Sequence, residues 1–288
     1  MASPDISATP ESTLAQSESR RLPDWCRPTI SPEHGVYIVL LVAFLIGAAV
    51  AQQWTWTTTL ALICAFCGFQ AEHPLVVQIR QRKSWKPRFV VWGSIYGGIA
   101  MTIALYLYWQ TGSLVSPLLG IYSGAIGALI VDSISVFYRE QKAIWNEFLT
   151  FAAVCLATPF VYIVTTNQLT GTVLGLWLLN TLFFSSAIFT VKLRKFKSNE
   201  SLVAAIQRVV VYHLVATALV VGLLGLGVIS LWTALPFSIV LVKVSLILWQ
   251  RQWYCTTRIQ SVAMLETTSA LAFGVLTALS VLPVHLPH

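Results

Sequence analysis

Nine long apolar blocks govern what this chain can become. They run near 35–52, 56–71, 89–109, 114–137, 147–166, 172–191, 209–229, 231–249 and 260–283. A helix of roughly 20 apolar residues crosses the hydrocarbon core of a bilayer, and most of the blocks approach or exceed that length. The second is the shortest, and is expected to tilt little or to continue into the polar stretch behind it. Only 10% of the residues are charged, against about 25% in soluble domains, so the chain has no polar coat and lipid must solvate it. The expected fold is an all-α integral membrane protein, a bundle of nine transmembrane helices within residues 31–288. Residues 1–30, rich in Ser, Pro and charge, are expected to form a disordered tail. The tail starts acidic and no apolar stretch follows directly, so it does not read as a signal peptide. Ser31 and Pro32 read as the N-cap and first residue of the first helix.

The charges test this division. Basic residues occur in the tail (Arg20, Arg21, Arg27), after the second block (Arg80, Arg82, Lys83, Lys86, Arg88) and after the fourth (Arg139, Lys142). They recur after the sixth (Lys192, Arg194, Lys195, Lys197, Arg208) and after the eighth (Arg251, Arg258). The connections near 53–55, 110–113, 167–171 and 230 hold none. Short Lys/Arg-rich loops stay in the cytoplasm, so nine spans with a cytoplasmic N-terminus and a C-terminus on the other side are expected. Trp54, Trp56, Trp109 and Trp232 mark the uncharged boundary, and Trp85, Trp145, Trp249 and Trp253 the basic one, as interfacial belts do. The formal charge of +7 is spread over several loops rather than one patch, which argues against nucleic acid as a partner. Gly120 and Gly124 allow close helix packing within the bundle, with a homodimer face as the alternative.

Ionisable residues within spans are costly and therefore candidates for function. They are Asp132, His213, Lys243 and Glu266, with Glu33, His34, Glu72, His73 and Glu147 at helix ends. All fall toward the basic side, which suggests a polar chamber open to the cytoplasm beneath an apolar, aromatic lid. Structural pairing of acids with loop arginines is the plain alternative. Glu33-His34-Gly35 and Glu72-His73-Pro74 place two Glu and two His at one expected depth, a set that suits a divalent metal. No His-x-x-x-His or Glu-x-x-His spacing supports it, so a metal is not favoured. Arg80, Arg82, Lys86, Lys192 and Arg194, with His213 and Lys243, form the candidate binding set for an anionic head group, or simply an anchor for anionic lipid. The five cysteines, Cys26, Cys64, Cys67, Cys155 and Cys255, read as packing residues. No phosphate loop or nucleophile elbow occurs.

The chain resembles the YwiC-like family of bacterial multi-spanning membrane proteins. The resemblance rests on Pro32-Glu33-His34-Gly35, His73-Pro74 followed by Arg80 and Arg82, Asp132, Glu147, Val191-Lys192-Leu193-Arg194, His213 and Glu266. Val36-Tyr37 stands where the family commonly has Ala-Trp. A more distant resemblance is to UbiA-type intramembrane prenyltransferases. It implies nine helices, a cytoplasm-facing chamber and functional loops after the second and sixth helices. Those enzymes hold a prenyl diphosphate through magnesium and Asp-rich motifs, whereas the corresponding loops here contain no Asp. Glu72, Arg80, Arg82 and the second basic cluster would bind directly instead.

Three functions follow as expectations. One is an intramembrane enzyme (a transferase acting on a lipid) or binding protein for an amphiphile with an anionic head, such as an isoprenoid or quinone precursor. There the basic clusters grip the head, and Glu33, His34, Glu72, His73, Asp132, Glu147 and Glu266 supply acid–base work. Another is a transporter of a small solute, opposed by the absence of internal repetition and of polar lining in the outer half. The third is an assembly factor for a membrane complex. The expected location is a bacterial cytoplasmic or internal membrane, with lipid as the constant partner.

Overall fold

A computed structural model describes residues 27–31, 34–82, 84–112, 116–194 and 202–282, with only the backbone of His34. The tail expected over 1–30 therefore lies almost wholly outside the described residues. Among these residues no strand occurs. The helices are α1 (His34–Ala51), α2 (Trp56–Gln81), α3 (Pro87–Gln110), α4 (Pro117–Tyr138), α5 (Ile144–Cys155), α6 (Ala157–Thr166) and α7 (Gly171–Arg194). They continue with α8 (Leu202–Gly225), α9 (Leu231–Ala234), α10 (Ser238–Trp249), α11 (Arg251–Thr256) and α12 (Ile259–Ser280).

Local chemistry sets many of the boundaries. Thr55 accepts from the Thr58 backbone while the Thr58 side chain returns a bond to Thr55, a capping box that opens α2. Pro87 and Pro117 start α3 and α4 at positions where a missing N–H costs nothing. Pro159 lacks the N–H that would reach Cys155 and its ring crowds that carbonyl, so one apolar block divides into α5 and α6. Pro236 does the same in the eighth block, where a 3₁₀ turn, Leu235–Phe237, joins α9 to α10.

Eight of the described helical stretches are long and apolar enough to cross a membrane, α5–α6 and α9–α10 each counting as one. The first block departs from expectation. Its helix of 18 residues, about 27 Å long, is shorter than the others, yet its middle is well buried. Val42, Ala43, Phe44 and Ile46 are all enclosed, with α6 and α12 as the main neighbours. A Cβ on Gly47 would stand 2.3 Å from the Thr158 carbonyl, and one on Gly274 2.8 Å from Val42. Glycine is what lets the α1 backbone reach that of α6, and what lets Val42 of α1 seat against the backbone of α12. The second central element is α7, whose Leu176, Leu179, Leu182, Phe183 and Leu193 are buried. Around these two lie α3, α4 and α8, with Ile95, Ile99, Ile126, Ile130, Leu214 and Val221 exposed, the surface lipid requires. Gly120 has open space beside it, while Gly124 meets Leu156.

The segment read as a loop from Glu72 to Arg88 is mostly helix. α2 runs on to Gln81, with Pro74 inside it, and carries Glu72, His73 and Arg80 on a helical surface. Gly93 of α3 packs against the Pro74 ring, which a Cβ would meet at 3.5 Å. Likewise Arg208, read as part of a loop, stands well inside α8, and Lys192 and Arg194 belong to the last turn of α7.

The sorting of charge to one end is visible in contacts. Arg80 donates to Gln141 Oε1 at 2.5 Å, and Arg82 binds the Phe137 carbonyl and lies over its ring. Arg88 holds the carbonyls of Arg27 and Pro28 at 2.8 and 2.9 Å. Lys192 reaches the Lys142 carbonyl at 2.7 Å, and Arg194 those of Tyr254 and Thr257 at 3.2 and 2.7 Å. These bonds tie the basic connections into one basic end of the bundle. At the opposite, uncharged end, Trp54, Trp56, Trp109 and Trp232 are exposed.

Candidate functional site

The polar interior is built on α7. Its sequence Asn180-Thr181-Leu-Phe-Phe-Ser185-Ser186-Ala-Ile-Phe-Thr190 puts polar groups at spacings of four and five, one face of a helix. All five are at most 1% exposed. Into this stripe project one titratable group from each of three other helices.

Lys243 of α10 donates to Glu266 Oε2 of α12 at 2.8 Å, with the side chains 3% and 23% exposed. The Lys243 ammonium also lies 5.6 Å from the Phe183 ring centre. Glu266 Oε1 receives the Thr190 hydroxyl at 3.4 Å. His213 of α8 pairs its Nε2 with Ser186 Oγ at 2.8 Å and directs Nδ1 to the Val209 carbonyl at 2.7 Å. A carbonyl only accepts, so Nδ1 carries the proton and a neutral ring would accept from Ser186. Beside Thr190, toward the basic end, Tyr254 of α11 is fully enclosed. Burial pushes its hydroxyl up to about 12, while Thr190 and Arg194 pull the other way. It thus stays protonated at any physiological pH.

Lys243, Glu266 and His213 therefore point inward, as their cost in lipid demands. The lid above them is not wholly apolar, which corrects the sequence reading. Asn180 donates to Thr158 Oγ1 at 2.8 Å, and Thr158 donates to the Ala43 carbonyl at 2.8 Å. Asn180 is nine residues from the start of α7, so polar groups reach past the middle of that helix. Beyond them Phe160, Val161 and Ile163 are buried and apolar. Small hydroxyl and amide side chains carry this signal, which the ionisable residues alone do not show.

A second group clusters at the basic end around the start of α5. Asn146, buried, donates to Asp132 Oδ1 at 2.7 Å and to the Gln141 carbonyl at 3.3 Å. Glu147 binds Lys192 at 2.8 Å and lies in the first turn of α5, where a carboxylate is favoured. Between α7, α8 and the start of α5 is a small cleft lined by Ile144, Phe189, Lys192, Leu193, Ala205 and Arg208.

The other candidates are dispersed. Glu72 and His73 are half-buried on α2. Glu33 and the side chain of His34, half of the Glu/His quartet, lie outside the described residues. Among the described residues no three His, Cys, Asp or Glu side chains are grouped to hold a metal. Arg80, Arg82 and Arg194 bind protein carbonyl oxygens, and the Lys86 backbone N–H donates to Gln78 Oε1 at 3.0 Å. Cys64, Cys67, Cys155 and Cys255 are free thiols.

Residues 30–162 match the family of YwiC-like proteins. No curated protein matches the chain. The matched stretch spans α1 to most of α6, with Asp132, Asn146 and Glu147, whereas Lys192, Arg208, His213, Lys243 and Glu266 all lie beyond it.

Proposed function

We propose that this YwiC-like membrane protein binds an amphiphile with an anionic head group from the cytoplasmic leaflet. Its basic end faces the cytoplasm, and α1 serves as a ninth span, leaving the two termini on opposite sides. The observation that carries the reading is the buried Lys243–Glu266 pair, with Thr190 and His213–Ser186 beside it. Four helices converge to keep charge inside an apolar bundle, a placement that marks function far more often than anchoring does. Lys192 and Arg194, one helical turn away on α7, supply positive charge at the entrance. Glu266 and His213 are the groups fitted to acid–base work if the amphiphile is transformed, as the likeness to UbiA-type transferases suggests.

A second reading, passage of a small solute, is favoured by the polar stripe on α7 that extends to Asn180. Native mass spectrometry of gently extracted protein tests the first: an isoprenoid, quinone or phospholipid adduct retained through mild activation is expected. An empty protein that instead moves a solute across reconstituted vesicles refutes it and establishes the second.

A further inference from the structure

Resting on that reading, we infer that α11 is a gate over the polar interior, opened by the anionic head group itself. Tyr254 is the plug and Arg194 the latch. Arg194 stands in the last turn of α7, and Thr190 lies one turn, about 5.4 Å, further in. The Tyr254 carbonyl sits at the level of Arg194, which donates to it at 3.2 Å. The Tyr254 hydroxyl lies beside Thr190 and Glu266. The ring therefore stands along α7 from the basic end to the depth of the buried pair. It is among the bulkiest wholly enclosed side chains, whereas Gln252, Trp253 and Thr256 of the same helix are exposed. Thr190 and the Lys243 side chain are enclosed in turn. Glu266 keeps 23% of its side chain exposed, so the sealed part is the Thr190–Lys243 side of the pair.

The segment is set apart from the helices on either side of it. α11 has six residues, and its main neighbours are α7 and α10. Gln250 interrupts the helix before it, at φ −99° and ψ 37°, and Thr257 behind it is extended. Few packed neighbours and two non-helical flanks mark the kind of segment that opens locally. Tyr254 is its one deep contact. Arg194 supplies the other hold, donating to the Thr257 carbonyl at 2.7 Å as well as to that of Tyr254.

Both of these acceptors are uncharged. A phosphate or carboxylate offers the guanidinium charge-assisted bonds, roughly twice as strong as neutral ones and bidentate. An anionic head arriving at the basic end draws Arg194 off the two carbonyls, and α11 is released with Tyr254. Zwitterionic lipid, whose phosphate carries its own cation, competes less well and leaves the segment in place. Access to Lys243 and Glu266 is thereby tied to the presence of the ligand.

The test uses the full chain carrying Thr190→Cys in phosphatidylcholine nanodiscs, labelled with a membrane-impermeant maleimide and resolved peptide by peptide by mass spectrometry. Cys155, wholly enclosed on α5, reports the integrity of the bundle. With Arg194 in place, position 190 is expected to label slowly, and about tenfold faster once short-chain phosphatidylglycerol or a prenyl diphosphate is added. Arg194→Gln should reach that faster rate with no amphiphile present and rise no further with one, about the factor that two uncharged hydrogen bonds contribute. Cys155 should stay protected throughout. Slow labelling in Arg194→Gln overturns the latch. An equal rise at Cys155 overturns it too, because Arg194 then holds the whole bundle rather than one segment. An amphiphile retained in native mass spectrometry while position 190 stays closed overturns the gate and spares the binding reading. Opening by inorganic phosphate but by neither amphiphile overturns the binding reading and spares the latch.

Discussion

Glu266→Gln should be among the most damaging single changes within the bundle, and more damaging than Lys243→Met. The Lys243 side chain is 3% exposed, and the neighbours of its ammonium are the Glu266 carboxylate at 2.8 Å and the Phe183 ring at 5.6 Å. Removing the carboxylate charge strands a cation in an apolar bundle, a loss of about 3–5 kcal/mol by comparison with broken buried pairs elsewhere. Removing the lysine strands a carboxylate that is 23% exposed and still has the Thr190 hydroxyl, so a smaller loss of about 2 kcal/mol is expected. The double variant Lys243→Met/Glu266→Leu leaves no charge behind and should return to within about 1 kcal/mol of wild type. Equilibrium unfolding in mixed micelles of the four proteins gives the coupling, expected to exceed about 2 kcal/mol. Additive single effects, or a lysine variant weaker than the glutamate variant, refute the claim that this pair is enclosed and mutually dependent.

Gly47→Ala, which drives a Cβ to 2.3 Å from the Thr158 carbonyl, should lower stability by about 1–3 kcal/mol, whereas Gly120→Ala, with open space around it, should be neutral in the same assay. Asn180→Leu removes the donor to Thr158 and should reduce any solute passage while leaving amphiphile retention intact; the opposite pattern in vesicle flux and native mass spectrometry contradicts the assignment of the two readings. Burial holds Tyr254 at about 12, above its ordinary value of about 10. Its share of stability is therefore complete below pH 10 and lost as the pH rises toward 12, and Tyr254→Phe should flatten that fall in alkaline unfolding curves. Reporters fused to the two ends should respond in opposite compartments, and a shared compartment excludes nine spans.

The sequence made the spans legible because lipid imposes length and hydrophobicity on each of them, and the sorting of Lys and Arg carried through to bonds such as Arg80–Gln141 and Lys192–Lys142. Centrality was not legible. Burial in a membrane bundle leaves no polar face to contrast with the apolar one, so nothing in the sequence distinguishes Phe44 of the first block, fully enclosed, from Leu105 of the third, 60% exposed. The one-sidedness of Lys243 and Glu266 was readable, but their pairing needed the crossing of α10 and α12. Thr158 and Asn180 are not legible as site residues because they carry no charge, and it is ionisable groups whose cost within a span singles them out. Arg208 was misplaced because Ser201, Leu202 and Gln207 look like loop composition, while Ala205, Val209 and His213 form the buried face that keeps the helix going.

The burial of α1 has a consequence for how the protein is made. Val42 of α1 rests against Gly274 of α12, so a helix that leaves the ribosome early is packed by one that leaves it more than 200 residues later. Until α12 has been synthesised, the flank of α1 that it covers must be tolerated by lipid or by the insertion machinery. Shortening the chain ahead of Ile259 would expose an inner surface rather than trim an outer one. Enclosure of α1 is thus a late event, waiting on a helix far along the chain.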